Sequence, residues 1–118
     1  MGMTVVRYQP KPDQADENQR LVQAVFAELA VTKPTGFSYA TLRLADGTFI
    51  HVAETDADVN PLNEVKAFAT FLSGIGERCE PGLGPNPQSA TVVGSYGHPA
   101  GQPFPDQRGT MPAEARRT

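Results

Sequence analysis

The stretch Gly36-Phe-Ser-Tyr-Ala-Thr-Leu-Arg-Leu-Ala-Asp-Gly-Thr-Phe-Ile-His-Val-Ala-Glu54 decides the fold, because its turn chemistry sets a strand register. Ala45-Asp46-Gly47 suits a three-residue hairpin loop, a type I turn followed by glycine in the left-handed region. In that register Leu44 pairs with Thr48, Leu42 with Ile50 and Ala40 with Val52, and this face is almost wholly apolar. The other face carries Tyr39, Thr41, Arg43, Phe49, His51 and Ala53. A two-residue Asp-Gly turn would pair Leu42 with His51 and Arg43 with Ile50. That slip mixes polar and apolar residues on both faces, so the three-residue loop is the better reading.

Upstream, residues 3–9 (MTVVRYQ) are rich in β-branched side chains and read as a strand stopped by Pro10 and Pro12. Asp13, Asp16 and Glu17 then supply cap and first-turn negative charge for a helix. Its apolar stripe is Leu21, Val22, Val25, Phe26 and Leu29, and Lys33, Pro34 and Gly36 end it. Downstream, Asn60-Pro61 starts a second helix with the stripe Leu62, Val65, Phe68, Ala69, Leu72 and Ile75, Phe71 lying at its edge. Gly74 and Gly76 weaken its last turn or permit close packing. Residues 81–87 form a Pro/Gly loop, and residues 90–96 (ATVVGSY) read as a final strand. Residues 1–98 thus form one domain, and residues 99–118 a flexible Pro/Gly-rich tail.

The 118 residues carry 10 Lys/Arg against 13 Asp/Glu, a formal net charge of −3 with no basic stripe, which argues against nucleic acid as the main partner. No apolar run reaches membrane-spanning length, and the N-terminus lacks a signal peptide's apolar core, so a cytoplasmic protein is expected. The single Cys79 fits a reducing compartment and, near a helix C-terminus, is expected to lack the positive surroundings that activate a thiolate. Two histidines and one cysteine far apart match no zinc spacing, and Asp56 and Asp58 lack a third carboxylate at a suitable distance, so no metal is expected.

The order β-α-β-β-α-β, with right-handed crossovers, puts both helices on one face of a four-stranded antiparallel sheet, a ferredoxin-like α+β fold. The helices are expected to cover the Leu42/Ile50/Ala40/Val52 face. The aromatic and basic face is then left open, with Val5, Val92 and Arg7 joining it, and a second copy is the simplest cover.

The βαββαβ order and the motif Tyr39-Ala-Thr-Leu-Arg-Leu-Ala-Asp-Gly-Thr-Phe-Ile-His-Val52 resemble the dimeric α/β-barrel superfamily. More narrowly, the chain is similar to the small bacterial proteins grouped near antibiotic-biosynthesis monooxygenases, over roughly residues 3 to 97. The resemblance implies a homodimer whose facing sheets enclose a cavity. In this chain the lining would be Arg7, Tyr39, Thr41, Arg43, Phe49, His51 and Tyr96. Such a cavity suits a small aromatic or polyketide-like ligand and no bound cofactor. His51 is the proton handler, able to deprotonate a phenol or enol, and Arg43 or Arg7 stabilises the anion that meets oxygen.

Two departures bear on this expectation. The best-known cofactor-free monooxygenases of the superfamily use a tryptophan and an asparagine, whereas this chain has no Trp and its Asn63 falls in the first turn of a helix. The haem-degrading members use an axial histidine on a helix, and neither expected helix holds one. The other reading is a non-catalytic homodimeric module. In it, His51 hydrogen-bonds Thr41, Arg43 pairs with a carboxylate, Tyr39 and Phe49 pack the interface, and His98 is solvated beside the tail.

Overall fold

A computed structural model describes residues 2–56 and 59–97. Strand β1 spans Gly2–Tyr8, helix α1 Ala15–Thr32, strand β2 Phe37–Arg43 and strand β3 Phe49–Thr55. Helix α2 spans Lys66–Leu72, the short helix α3 Ile75–Arg78, and strand β4 Asn86–Ala90. The sheet order is β2-β3-β1-β4, every neighbouring pair is antiparallel, and the helices lie on one side. This is the expected ferredoxin-like α+β arrangement. The proposed tail, 99–118, lies outside the described residues, as do His98 and Asp58.

The hairpin register is the expected one. Leu42 faces Ile50, Ala40 faces Val52 and Thr41 faces His51. Leu44 N–H donates to the Thr48 carbonyl at 2.8 Å, and Gly47 sits at φ 91°, the left-handed region that the loop requires. Asp46 Oδ1 accepts from the Thr48 N–H at 2.9 Å and closes the turn. Helix α1 begins after a 3-10 turn at Pro12–Gln14, carries Asp16 and Glu17 in its first turn, and ends at Lys33 in the left-handed conformation. The Lys33 N–H donates to the Leu29 carbonyl at 2.8 Å, and Pro34 follows.

The sides of the sheet are reversed from expectation. The helices cover Tyr39, Phe49 and His51 together with Val6 and Tyr8 of β1, and Tyr8 lies opposite Phe49 across the strands. Phe49 is buried with Val25, and Tyr39 stacks on Phe26 of α1 with ring centroids 5.0 Å apart. Alternation then sends Val5 and Arg7 to the opposite side with Ala40, Leu42, Ile50 and Val52. The physical reason is volume. The space between a sheet and its helices is filled better by aromatic rings than by Ala40 and Val52, provided that the rings' polar atoms find partners.

The second helical segment is not continuous. Asn60 caps a 3-10 turn at Pro61–Glu64 by accepting from the Leu62 N–H at 2.9 Å. Val65 is extended (φ −95°, ψ 114°) and interrupts the chain before α2. Ser73 is again extended, and Gly74 sits at φ 79°, ending α2 ahead of α3. Each break resets the helical phase, so Phe71 is buried rather than marginal, and Leu72 is 48 % exposed. Strand β4 comes earlier than expected: Pro87 pairs with Val6 and Ala90 with Met3, while residues 91–96 leave the sheet.

Candidate functional site

A cavity of about 220 Å³ lies between the sheet and the segment from Asn60 to α3, inside a single chain. Val6, Leu62, Phe68, Phe71 and Ile75 form much of its apolar wall. Three polar side chains rise from the sheet at its floor: Tyr8 from β1, Tyr39 from β2 and His51 from β3. Strand alternation aims all three the same way, because Tyr39 and His51 share one face of the hairpin and Tyr8 follows from the β1–β3 register. Asn60 adds a side-chain amide on the exposed side.

The floor is one hydrogen-bonded chain. His51, 5 % exposed, has the Tyr8 hydroxyl 2.7 Å from Nε2 and the Tyr39 hydroxyl 2.6 Å from Nδ1. Thr41 Oγ1 is 3.2 Å from the same Nδ1. Behind Tyr8, the fully buried Asn18 of α1 donates from Nδ2 to the phenol oxygen at 2.8 Å. Behind Asn18, Arg78 of α3 donates from Nε to Oδ1 at 3.2 Å. The Arg78 guanidinium is itself buried. It donates to the Phe71 carbonyl at 2.7 Å and the Ser73 carbonyl at 3.1 Å, where the C-terminal end of α2 offers unpaired oxygens, and it lies over the Phe71 ring at 5.3 Å.

Burial governs the protonation of this group. It pulls the His51 imidazole down to about 4, so the ring is neutral at neutral pH. It pushes the Tyr39 phenol up to about 12, and it raises Tyr8 further, opposed in part by the hydrogen bond from Asn18. All three side chains are therefore uncharged hydrogen-bonding groups under ordinary conditions.

The seven residues expected to meet in one cavity are divided by the structure. His51 and Tyr39 line it, but on the helix side of the sheet and not between two sheets. Thr41 and Phe49 stand beside that floor: Thr41 at the His51 ring, and Phe49 stacked on Tyr8 with centroids 5.7 Å apart. Arg43 turns to α1, donating to Asp16 at 3.0 Å and Gln19 at 2.7 Å, which corrects its placement on a ligand wall. Arg7 is corrected to the opposite side, where it borders a shallow groove with Gln9, Thr48 and Asn86. Tyr96, 88 % exposed, lies beyond β4 because the last strand stops at Ala90. Among the described residues no arginine lines the main cavity.

Tyr8, Asn18, Asn60 and Arg78 were not anticipated as site residues. Asn18 carried a signal, since it precedes Val22 by four residues and Val25 by seven, and so belongs to the buried stripe of α1. Tyr8 carried one too, as an aromatic at the end of an alternating strand. Arg78 carried none, because its inward position depends on the break at Ser73-Gly74.

No known family profile matches the chain, and no curated protein matches it. Solved structures do. A Nitrosomonas europaea protein provisionally named an antibiotic biosynthesis monooxygenase superposes with a TM-score of 0.62 at 12 % identity, covering 79 % of this chain and 99 % of that one. A Caulobacter crescentus protein with the same provisional name gives 0.59 at 18 % identity, covering 79 % and 92 %. A further Nitrosomonas europaea structure, of a protein of unknown function, gives 0.59 at 12 % identity, covering 80 % and 92 %. At these identities the likeness is one of architecture: the chain has the ferredoxin-like α+β fold that proteins named antibiotic biosynthesis monooxygenases also have.

Proposed function

We propose that this chain binds a flat aromatic molecule of one or two rings in the cavity beneath its helices, and oxidises it with dioxygen in the manner of a cofactor-free monooxygenase. The observation that carries this reading is the meeting of an apolar wall with three convergent, buried polar groups: Tyr8, His51 and Tyr39. The size agrees, since a dry cavity of about 150 Å³ holds a benzene ring and this one is about 220 Å³. A larger fused polyketide does not fit without movement.

The neighbours' names agree with the chemistry without specifying it. With 1-naphthol as the probe, the phenol proton passes to water and the Tyr39 hydroxyl donates to the resulting oxyanion. Dioxygen then adds at the ring carbon opposite that oxygen, and the peroxide takes a proton back from water to give a ring hydroperoxide. Loss of water from it leaves 1,4-naphthoquinone. One oxygen atom ends in the quinone and the other in water, and the ring gives up the four electrons that dioxygen takes. His51 acts here as the hydrogen-bonded holder of Tyr39, because a buried imidazole with its affinity for protons lowered to about 4 is a weak base.

The test is titration with 1-naphthol followed by oxygen-electrode and absorbance readings. Saturable binding, oxygen uptake matched to quinone formation, and loss of uptake in Tyr39→Phe are expected. Absence of saturable binding contradicts the ligand reading, and binding without uptake reduces the protein to a non-catalytic binder.

We also propose that it works as a homodimer in the cytoplasm, where its one buried, unpaired Cys79 is at home. The partner is a second copy laid on the open side of the sheet, where Val5, Ala40, Leu42 and Ile50 make an apolar surface with Leu42 41 % exposed. Sedimentation equilibrium is expected to give twice the 12.6 kDa chain mass, and the mass should fall towards a single chain in Ile50→Lys. A wild-type monomer at micromolar concentration rules this part out.

A further inference from the structure

The hydrogen-bond chain on the cavity floor has a direction, and the direction can be worked out from its buried end. A guanidinium only donates, so Arg78 Nε–H must be met by an acceptor, and Asn18 Oδ1 meets it at 3.2 Å. That turns the Asn18 amide nitrogen to Tyr8, whose oxygen accepts at 2.8 Å. The Tyr8 proton is then left to donate, and His51 Nε2 is 2.7 Å away. A neutral imidazole that accepts at Nε2 carries its one N–H at Nδ1. Nδ1–H is shared between the Tyr39 oxygen at 2.6 Å and the Thr41 oxygen at 3.2 Å. Tyr39 is an acceptor in that contact, so its own proton is available to the cavity that it lines. Asn60 has the same polarity. Its Oδ1 is occupied by the Leu62 N–H, which leaves its amide N–H groups as donors at the cavity edge.

We propose that Arg78 and Asn18 are positioning residues that fix the direction of this chain, so that Tyr39 presents a proton to the cavity and the site takes its ligand by an acceptor oxygen. The matching class is a flat aromatic carrying a carbonyl or an ionised phenol oxygen: a quinone, an aromatic ketone or a phenolate. A hydrocarbon of the same shape satisfies the apolar wall but leaves the Tyr39 proton unmet, a loss on the order of tenfold in affinity. The inference rests on the cavity being a ligand site, but it concerns the sense of recognition and not the reaction.

One substitution reverses the chain while keeping its shape. In Asn18→Asp the carboxylate pairs with Arg78 and accepts from Tyr8. The Tyr8 oxygen then accepts from His51 Nε2–H, Nδ1 becomes the acceptor, and the Tyr39 proton is drawn to it and away from the cavity. The readout is the nitrogen-15 NMR signature of the His51 tautomer, recorded in a His98→Gln background so that one imidazole remains. An Nδ1–H tautomer in the parent and Nε2–H in Asn18→Asp are expected. Affinity for 1,4-naphthoquinone should fall about tenfold in Asn18→Asp while affinity for naphthalene stays unchanged.

Tyr39→Phe should show the same loss for the quinone alone, and it keeps the binding test available if Asn18→Asp fails to fold. An Nε2–H tautomer in the parent, an unchanged tautomer in Asn18→Asp, or equal binding of quinone and hydrocarbon by the parent overturns the proposal. A parent with the Nδ1–H tautomer that binds neither compound overturns the cavity as a ligand site and leaves the direction of the chain standing.

Discussion

At His51 the cost of burial and the gain from two hydroxyl partners are joined in one side chain. The ring is neutral because its folded affinity for protons, about 4, lies well below the ordinary histidine value of 6.5. Arg78 sits three links away in the same network and adds no anion that would favour the charged ring. Because the folded value is depressed, the unfolded chain binds the proton first. The contribution to stability is whole above pH 6.5, falls as pH drops towards 4, and levels off below it. The slope in that window approaches about 1.4 kcal/mol per pH unit. Denaturant titrations at pH 7 and pH 5 should show this loss in the wild type. His51→Gln should be less stable at pH 7, since Tyr8 and Tyr39 lose partners, and flatter with pH. An unchanged acid slope in His51→Gln would place the titrating group elsewhere. At this scale the sequence was informative where a residue's periodicity betrayed it, as at Asn18, and silent where a distant break in the chain aimed it, as at Arg78.

Among the elements, the hairpin was legible because Ala45-Asp46-Gly47 permits one good turn and a turn sets every pair behind it. The side of the sheet that the helices cover was not legible. Apolar character pointed to Ala40, Leu42, Ile50 and Val52, whereas the aromatic face is the buried one, its polar atoms satisfied by one another and, at Tyr8, by Asn18 from α1. The second helix was read as continuous because its apolar spacing survives across Val65 and Ser73-Gly74, where the backbone in fact turns extended or left-handed. The start of α2 shows how the chain compensates. Val65 offers no side-chain cap, and the carboxylate of Glu28 on α1 accepts from the Lys66 N–H at 3.0 Å and the Ala67 N–H at 2.9 Å. A carboxylate at a helix N-terminus answers both the unpaired donors and the helix dipole. Glu28→Ala is expected to cost about 1 kcal/mol in thermal or chemical denaturation. It should also speed amide exchange at Lys66 and Ala67 ahead of the rest of α2. Equal exchange in mutant and wild type would show that α2 is held by packing alone.

For the whole molecule, the two faces of the sheet do different work. The helix side holds the aromatic rings, the buried network and a cavity within one chain, while the open side carries the aliphatic Val5, Ala40, Leu42 and Ile50 with Arg7 among them. The cavity therefore needs no residue from a partner, in contrast to the expectation of one enclosed between two sheets. Among the described residues no helix is long and apolar enough to cross a membrane. The proposed place for a small aromatic ligand is beneath the helices. It is tested most directly by methyl-resolved NMR during titration with 1-naphthol, because each side of the sheet carries its own reporters. Shifts at Val6, Leu62 and Ile75, with Leu42, Ile50 and Val52 unmoved, are the predicted result. Shifts confined to Leu42, Ile50 and Val52 would put the ligand on the open face and rule out the cavity beneath the helices as its site.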